Sequence, residues 1–362
     1  MVVKKYMKAA ILVKPEKMEV KEIHIPEPEV GWVRLKVKAC GICGSDMHYY
    51  KGNYPELERG SAIEKRVLGK IYGHEAVGIV DKPGVGVTKF KEGDRVAVIP
   101  PFPCMKCEYC RVGLYEDCRT LEIIGYEYPG GFAEYMNVPQ SNIFPIPVNI
   151  SFEEAATLDV LTVGVHAVHR AGVNISDRVA VLGAGAIGIA LIAVAKKAGA
   201  RDIFVTAKHP LQQEIVRRMG ITKIYDPADK GVIERIISES ENRGVDCVLE
   251  SVGVSGKVIE FGISILRKGG RLVFTGLFEE KVSLSFWDIL IKDATISASG
   301  AYGMWNLVPE FDLAVEMLAS GEFPAKDIVT HKFPLEKIND AFQQKLKPEE
   351  RSKTIKVEIV FE

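Results

Sequence analysis

An excess of charge of either sign is missing from this chain of 362 residues: 47 Lys and Arg stand against 48 Asp and Glu, a formal balance of −1. Such a balance lacks the basic footprint that nucleic acid or an anionic membrane surface demands. Long apolar runs are missing too. Behind Lys4, Lys5 and Lys8 the apolar run covers only Ala9 to Val13, too short for a signal-peptide core, and no later stretch is long enough to span a bilayer. A cytoplasmic location is the expectation. Asn and Gln are sparse beside Lys, Glu and Arg, which points to a heat-adapted (thermophile) source. Cysteine is scarce and odd in number, seven in all: Cys40, Cys43, Cys104, Cys107, Cys110, Cys118 and Cys247. An odd count argues against a disulfide framework, and four crowded into one short segment read instead as a metal site in a reducing compartment.

What is present suits an enzyme of about two domains. Residues from about 7 to 100 are β-rich, with short runs at Lys8–Val13, Val33–Ala39, Ala76–Val80 and Arg95–Ile99 punctuated by Gly and Pro. The polar stretch Glu56–Lys70 reads as a long surface loop. At Ser151 the texture changes: Ser151 and Glu154 form a capping-box pattern before a helical run, Ala155–Ala171. Six candidate strands then alternate with helical patterns: Arg178–Leu182, Ile203–Thr206, Lys223–Tyr225, Asp246–Ser251, Arg271–Thr275 and Thr295–Ser299. That order predicts an α/β fold with a doubly wound, six-stranded parallel sheet. After Gly300 the alternation stops. Two helical patterns, Leu307–Ser320 and Leu335–Leu346, precede a strand-like run, Thr354–Phe361, expected to return to the first domain. The expected division is 1–152 with a cysteine lobe at about 100–120, then 153–299, then 300–362.

Cys104-x2-Cys107-x2-Cys110-x7-Cys118 has the spacing of a closed, four-thiolate structural zinc site. Pro100, Pro101 and Pro103 stiffen the chain before it. Further on, the apolar strand Val179–Leu182 runs into Gly183-Ala184-Gly185-Ala186-Ile187-Gly188 and then a helical run. GxGxxG alone is weak, but between a strand and a helix it reads as a dinucleotide pyrophosphate turn. An NAD site wants an acid at the end of the second strand, where this chain has Ala207-Lys208-His209. Ala207 leaves room, and Lys208 with His209 suits a 2′-phosphate. NADP(H) is therefore expected over NAD(H); the competing reading is a solvated Lys and His, with NAD bound without an acid.

The first domain also holds Gly41-Ile-Cys43-Gly-Ser45-Asp46-Met-His48-Tyr49-Tyr50 and Gly73-His74-Glu75. Cys and His are good zinc ligands. With the four-cysteine lobe, Gly130-Gly-Phe-Ala-Glu-Tyr135 and the glycine turn in this order, the chain resembles the zinc-containing medium-chain alcohol dehydrogenase superfamily. It is most similar to the sorbitol/polyol dehydrogenase branch, over essentially its whole length. The resemblance implies a GroES-like β-rich catalytic domain, a Rossmann domain, two zinc ions per chain and a dimer or tetramer. It implies Cys43 and His74 as ligands of a catalytic zinc, and Glu75 as a ligand or a neighbour exchanging with water. Asp46 would orient His74, and Ser45 and His48 would carry the alcohol proton outward. One departure stands out: where polyol relatives have Glu-Pro, this chain has Asp159-Val160, a shorter acid that would meet zinc directly or through water. Ser45 as a turn hydroxyl, His48 as a buried histidine and Asp159 as a helix-surface acid are the plainer readings. His166 and His169 read as helix packing, Tyr49 and Tyr50 as pocket wall or core, and Cys40 and Cys247 as small buried hydrophobes.

The function expected is hydride transfer between a polyol, sugar or secondary alcohol and the nicotinamide cofactor. Threonine or glucose dehydrogenase of the same superfamily is the alternative. A catalytically silent nucleotide-binding protein is the reading from another class, and keeping Cys43, Ser45, His48, His74 and an acid at 159 argues against it. The same residues disfavour a zinc-free quinone reductase.

Overall fold

The computed structural model describes residues 5–52, 67–278, 281–300 and 302–362. Residues 56–66 of the expected surface loop lie outside them. The chain divides into two compact units, one formed by Met1–Asp159, Val315–Gly321 and Ala325–Glu362, the other by Val160–Ala314 and Glu322–Pro324.

The first unit opens with a hairpin of β1 (Tyr6–Lys14) and β2 (Lys17–His24). β3 (Trp32–Gly41) buries alternate residues from Val33 to Ala39, the period of a strand with one face on a core. β4 (Glu75–Pro83) and β5 (Arg95–Val98) follow. The short strands β6 (Pro101–Phe102) and β7 (Glu122–Ile123) pair at the base of the cysteine lobe. β8 (Tyr135–Pro139) and β9 (Ile143–Pro145) return to the main sheet.

In the second unit β10 (Arg178–Leu182), β11 (Asp202–Thr206), β12 (Lys223–Tyr225), β13 (Val245–Glu250), β14 (Leu266–Phe274) and β15 (Thr295–Ala298) form a parallel sheet in the order β12-β11-β10-β13-β14-β15. β10 and β13 are buried along their whole length, as sheets covered on both faces require. A small hairpin, β16 (Met304–Trp305) with β17 (Val308–Pro309), follows. β18 (Val329–Pro334) and β19 (Lys356–Val360) belong to the first unit, whose sheet runs β18-β19-β3-β4-β5-β9 with β8 also on β3. The last two strands thus extend the first unit's sheet, and Lys356 and Glu358 are buried with them.

Two helix expectations change. The run Ala155–Ala171 is two helices, Phe152–Ala155 and Leu158–Ala171. Ser151 and Glu154 do form the reciprocal cap at 3.2 and 3.0 Å. The break comes at Thr157, whose hydroxyl and N–H both take the Glu154 carbonyl, at 2.6 and 3.1 Å. The run Leu307–Ser320 becomes helical only at Glu310, because Asn306 and Leu307 turn the β16–β17 hairpin with φ of 48° and 69°.

Glu310 is fully buried. Its carboxylate lies 2.8 Å from His166 Nδ1 and 2.9 Å from His169 Nδ1, and it accepts from the Gly303 N–H at 3.0 Å. His169 stacks on Trp305. The two histidines thus pack the helix Leu158–Ala171, as expected, and tie it to the segment after the hairpin. Burial alone would raise the Glu310 pKa, but His166, His169 and the Gly303 N–H outweigh it and hold the group at about 2. Its folded value lies below its unfolded one, so the stabilisation is present above about 4.5 and is lost as pH falls toward about 2. Glu310→Gln should flatten the pH dependence of stability in that window by up to about 3 kcal/mol, read from urea midpoints.

Candidate functional site

Helix α1 (Gly44–Lys51) begins at Cys43, its N-cap, with the thiol at the positive end of the helix. Asp46, in the first turn, accepts the Cys43 N–H at 2.9 Å and is buried. His74 and Glu75 stand where the chain enters β4. Ligand atoms of Cys43, His74 and Glu75 all lie within 4.8 Å of one another. Asp159, at the start of the helix Leu158–Ala171, brings a carboxylate oxygen to 3.7 Å from His74 Nε2. Asp46 Oδ1 faces the other ring nitrogen, also at 3.7 Å, and neither of these facing atoms has a hydrogen-bond partner. Two ligands on one tetrahedral zinc stand roughly 3.3–3.8 Å apart, so the Asp159 spacing fits a shared ion. Asp46 sits where an acid orients a metal-bound imidazole. Burial opposes charge on His74, yet Asp46 and Cys43 hold the imidazole well above its ordinary range.

Sequence reading gave no sign of the cations behind this cluster. Lys356, on β19, is buried and ion-paired to Glu75. Lys345 Nζ donates to the Ile42 carbonyl at 2.9 Å, and Lys356 Nζ reaches the same oxygen at 3.4 Å. Burial, and then the Lys356 charge, pull Lys345 down to about 8. Glu358, two residues along β19, is fully buried, and burial pushes its carboxyl well above the usual range despite Lys356. Gly41 pairs with both Glu75 and Glu358 across the sheet, and a side chain there would collide with the Glu75 carboxylate and Lys356.

Ser45 and His48 lie three residues apart on α1. Ser45 Oγ accepts a hydrogen bond from Tyr126 at 2.6 Å. Tyr126 was not singled out by the sequence; it lies in a non-periodic loop between the cysteine lobe and Gly130. Its ring packs against Tyr49, Tyr72 and His74, with centroids 4.9, 5.9 and 5.1 Å away. Burial, then the charges of Asp46 and Cys43, push the Tyr126 phenol well above its ordinary range. Tyr49 is thus part of an aromatic wall. Tyr50 belongs to the core, stacked on Phe342 with its hydroxyl on the Glu16 carbonyl. Cys40 and Cys247 are fully buried.

The four-cysteine lobe is a second cluster. Cys104 to Cys110, Cys107 to Cys110 and Cys107 to Cys118 are 4.0, 3.5 and 4.0 Å apart, sulfur to sulfur. Zn–S bonds of about 2.3 Å at tetrahedral angles put sulfurs about 3.8 Å apart. The backbone N–H groups of Lys106 and Cys107 pull the Cys104 thiol down to about 6, while burial and the neighbouring thiols push Cys110 up to about 12. All four protein ligands are supplied, so the site is closed and structural.

In the second unit, Gly183 has φ of +91° and donates its N–H to Thr206 Oγ1 at 3.0 Å. Gly188 packs on the Gly183 carbonyl with no room for a Cβ, whereas a Cβ at Gly185 would meet no protein atom within 4 Å. Such an open face gives the room that a pyrophosphate needs to approach backbone. The helix Ala186–Lys197 starts there, and the N–H groups of Ala186, Ile187 and Gly188 precede its first internal bond, from Ile189 to Gly185. A groove of about 630 Å³ is lined by Gly183, Gly185, Thr206, Lys208, His209 and Lys257, among others. Ala207 is buried, Lys208 is exposed, and His209 caps the next helix, its N–H on Gln212 at 3.4 Å.

Comparison with known proteins adds independent findings. The family described as alcohol dehydrogenase GroES-like domain matches residues 29–148, and the zinc-binding dehydrogenase family matches residues 186–320. Sorbitol dehydrogenase of Bacillus subtilis is 33% identical over 94% of this chain and 94% of its own. L-threonine 3-dehydrogenase of Pyrococcus furiosus is 32% identical over 93% of this chain and 94% of its own. The crystal structure of 2R,3R-butanediol dehydrogenase from Bacillus subtilis superposes with a TM-score of 0.84 at 30% identity, covering 98% of this chain and 100% of that one.

The two clusters predict distinct metal losses. Elemental analysis should find about two zinc ions per chain. Cys110→Ser should lose one and lower the melting temperature. Cys43→Ser should lose the other while leaving the fold intact. Equal zinc content in both variants and the parent would contradict the ligand sets.

Proposed function

The chain belongs to the zinc-containing medium-chain dehydrogenase superfamily, and from that premise we propose that it oxidises a hydroxyl of a polyol, sugar or secondary alcohol with NADP⁺ and catalyses the reverse reduction. The observation that carries the reading is the convergence of Cys43, His74, Glu75 and Asp159 beside Ser45. Zinc held there supplies the Lewis acidity that makes an alcohol proton labile, and the nicotinamide supplies the hydride acceptor. Asp46 faces the far nitrogen of His74 and would orient the ring. Cys43, His74 and Asp159 are the proposed ligands, with Glu75 held back by Lys356. Ser45 accepts the alcohol proton, and His48 leads it outward along α1. The turn Gly183–Gly188 anchors the pyrophosphate, with Lys208 and His209 proposed for the 2′-phosphate. These roles assign the chemistry to the unit that begins at Met1 and the cofactor to the unit that begins at Val160. Likeness to L-threonine 3-dehydrogenase favours one second reading, an amino-alcohol substrate. All seven cysteines are free, in keeping with a reducing, cytoplasmic setting.

Turnover screened over polyols, sugars, secondary alcohols and threonine, with both cofactors, tests the reading. NADP⁺ should give the higher kcat/KM. Lys208→Ala should raise the KM for NADP⁺ about tenfold and leave that for NAD⁺ nearly unchanged. A native preference for NAD⁺ would defeat the 2′-phosphate assignment.

We also propose a homo-oligomer. The helix Phe286–Lys292 has no buried residue and exposes Phe286, Trp287, Leu290 and Ile291. β15 is the outermost strand on its side of the sheet among the described residues. An apolar face beside an open strand edge suits a second copy of the chain. Light scattering should report a dimer or larger, and Trp287→Asp should shift it toward monomer.

A further inference from the structure

We propose that Tyr126 is a positioning residue for proton transfer: its phenol fixes the Ser45 hydroxyl so that one acceptor site and one donor direction remain for the substrate proton. The inference rests on the proposed dehydrogenase reaction. A serine hydroxyl has one donor and two acceptor sites and rotates among three staggered wells unless something holds it. Tyr126 occupies one acceptor site at 2.6 Å.

The phenol is itself held from several sides. The Tyr126 N–H donates to the Ile123 carbonyl at 3.0 Å, and its own carbonyl accepts from Lys70 Nζ at 2.8 Å. The ring lies against Tyr49, Tyr72 and His74. Tyr72 is fixed in turn by its hydroxyl on the Val67 carbonyl at 2.9 Å and by stacking on Tyr49. A donor fixed by two backbone bonds and three rings has little freedom to follow Ser45, so Ser45 follows it.

The proton balance is then simple. As hydride leaves the carbinol carbon for NADP⁺, the hydroxyl proton passes to Ser45 Oγ. Ser45's own proton leaves on the His48 side of α1 toward solvent. Tyr126 keeps its proton throughout, because it donates to an oxygen that always has a lone pair to offer. Without the phenol, Ser45 would sample rotamers that turn its remaining lone pair away from the substrate.

The experiment is a cycle of Tyr126→Phe, Ser45→Ala and the double variant in the zinc-loaded protein. Tyr126→Phe keeps the ring and its packing. It should lower kcat about tenfold, with cofactor KM unchanged, and enlarge the solvent deuterium isotope effect on kcat. The double variant should be no slower than Ser45→Ala. A second readout needs no turnover: Ser45→Ala should shift the tyrosine ultraviolet band, and the shift should vanish when Tyr126 is Phe. Additive losses in kcat, or an unchanged isotope effect, would overturn the positioning role. A shift that persists in the Tyr126→Phe background would overturn the pair itself. Failure of the unaltered protein to turn over any hydroxyl substrate would instead refute the dehydrogenase reading, with the ultraviolet result still reporting on the pair.

Discussion

Buried negative charge without a partner is among the most expensive things a fold can contain. Around Cys43 this chain gathers a thiol and three carboxyl groups, those of Asp46, Glu75 and Asp159, with Asp46 and Glu75 almost wholly out of solvent. Lys356 answers one of them, Glu75. His74 lies between Asp46 and Asp159, with a carboxylate oxygen of each 3.7 Å from one of its ring nitrogens. A divalent ion held by Cys43, His74 and the proposed Asp159 would resolve the arrangement, answering the negative charge and letting Asp46 orient the far nitrogen of His74. Much of the first unit's architecture serves to hold these groups together. α1 presents Cys43 at its start, β4 brings His74 and Glu75, and β19 returns from the far end of the chain with the lysine.

The parts legible in the sequence are those whose partners are close along the chain. Four cysteines within fifteen residues, a glycine turn between strand and helix and a capping box at Ser151 and Glu154 each declare a local geometry, and the structure has each. The six strands of the second unit were readable because buried parallel strands are short apolar runs bounded by turns. The cluster of Cys43, His74 and Asp159 spans more than a hundred residues and came from family resemblance, not from periodicity. What stayed hidden was carried by long-range partners. Lys356 reads as an ordinary strand lysine until β19 is placed beside β3, and Tyr126 as one tyrosine among twelve until its hydroxyl reaches Ser45. Thr157 broke an expected helix because a hydroxyl that bonds back to a carbonyl competes with the next turn, an effect apolar periodicity does not register.

Glu75 and Asp159 show why placement matters more than residue type. Both are acids near His74, and either type ligates zinc. Glu75 has the longer side chain, but it follows His74 directly on a strand and points toward β3 and β19, where Lys356 waits and Gly41 leaves the room it needs. Asp159 has the shorter reach, yet the helix Leu158–Ala171 begins close enough that the lost methylene leaves its oxygen on the Nε2 side of His74. Were Glu75 drawn away, the Lys356 ammonium would be left buried with the Ile42 carbonyl beside it, a costly exchange. The tail of the chain therefore bears on the metal without touching it. By pairing Lys356 with Glu75, it favours the proposed ligand set of Cys43, His74 and Asp159.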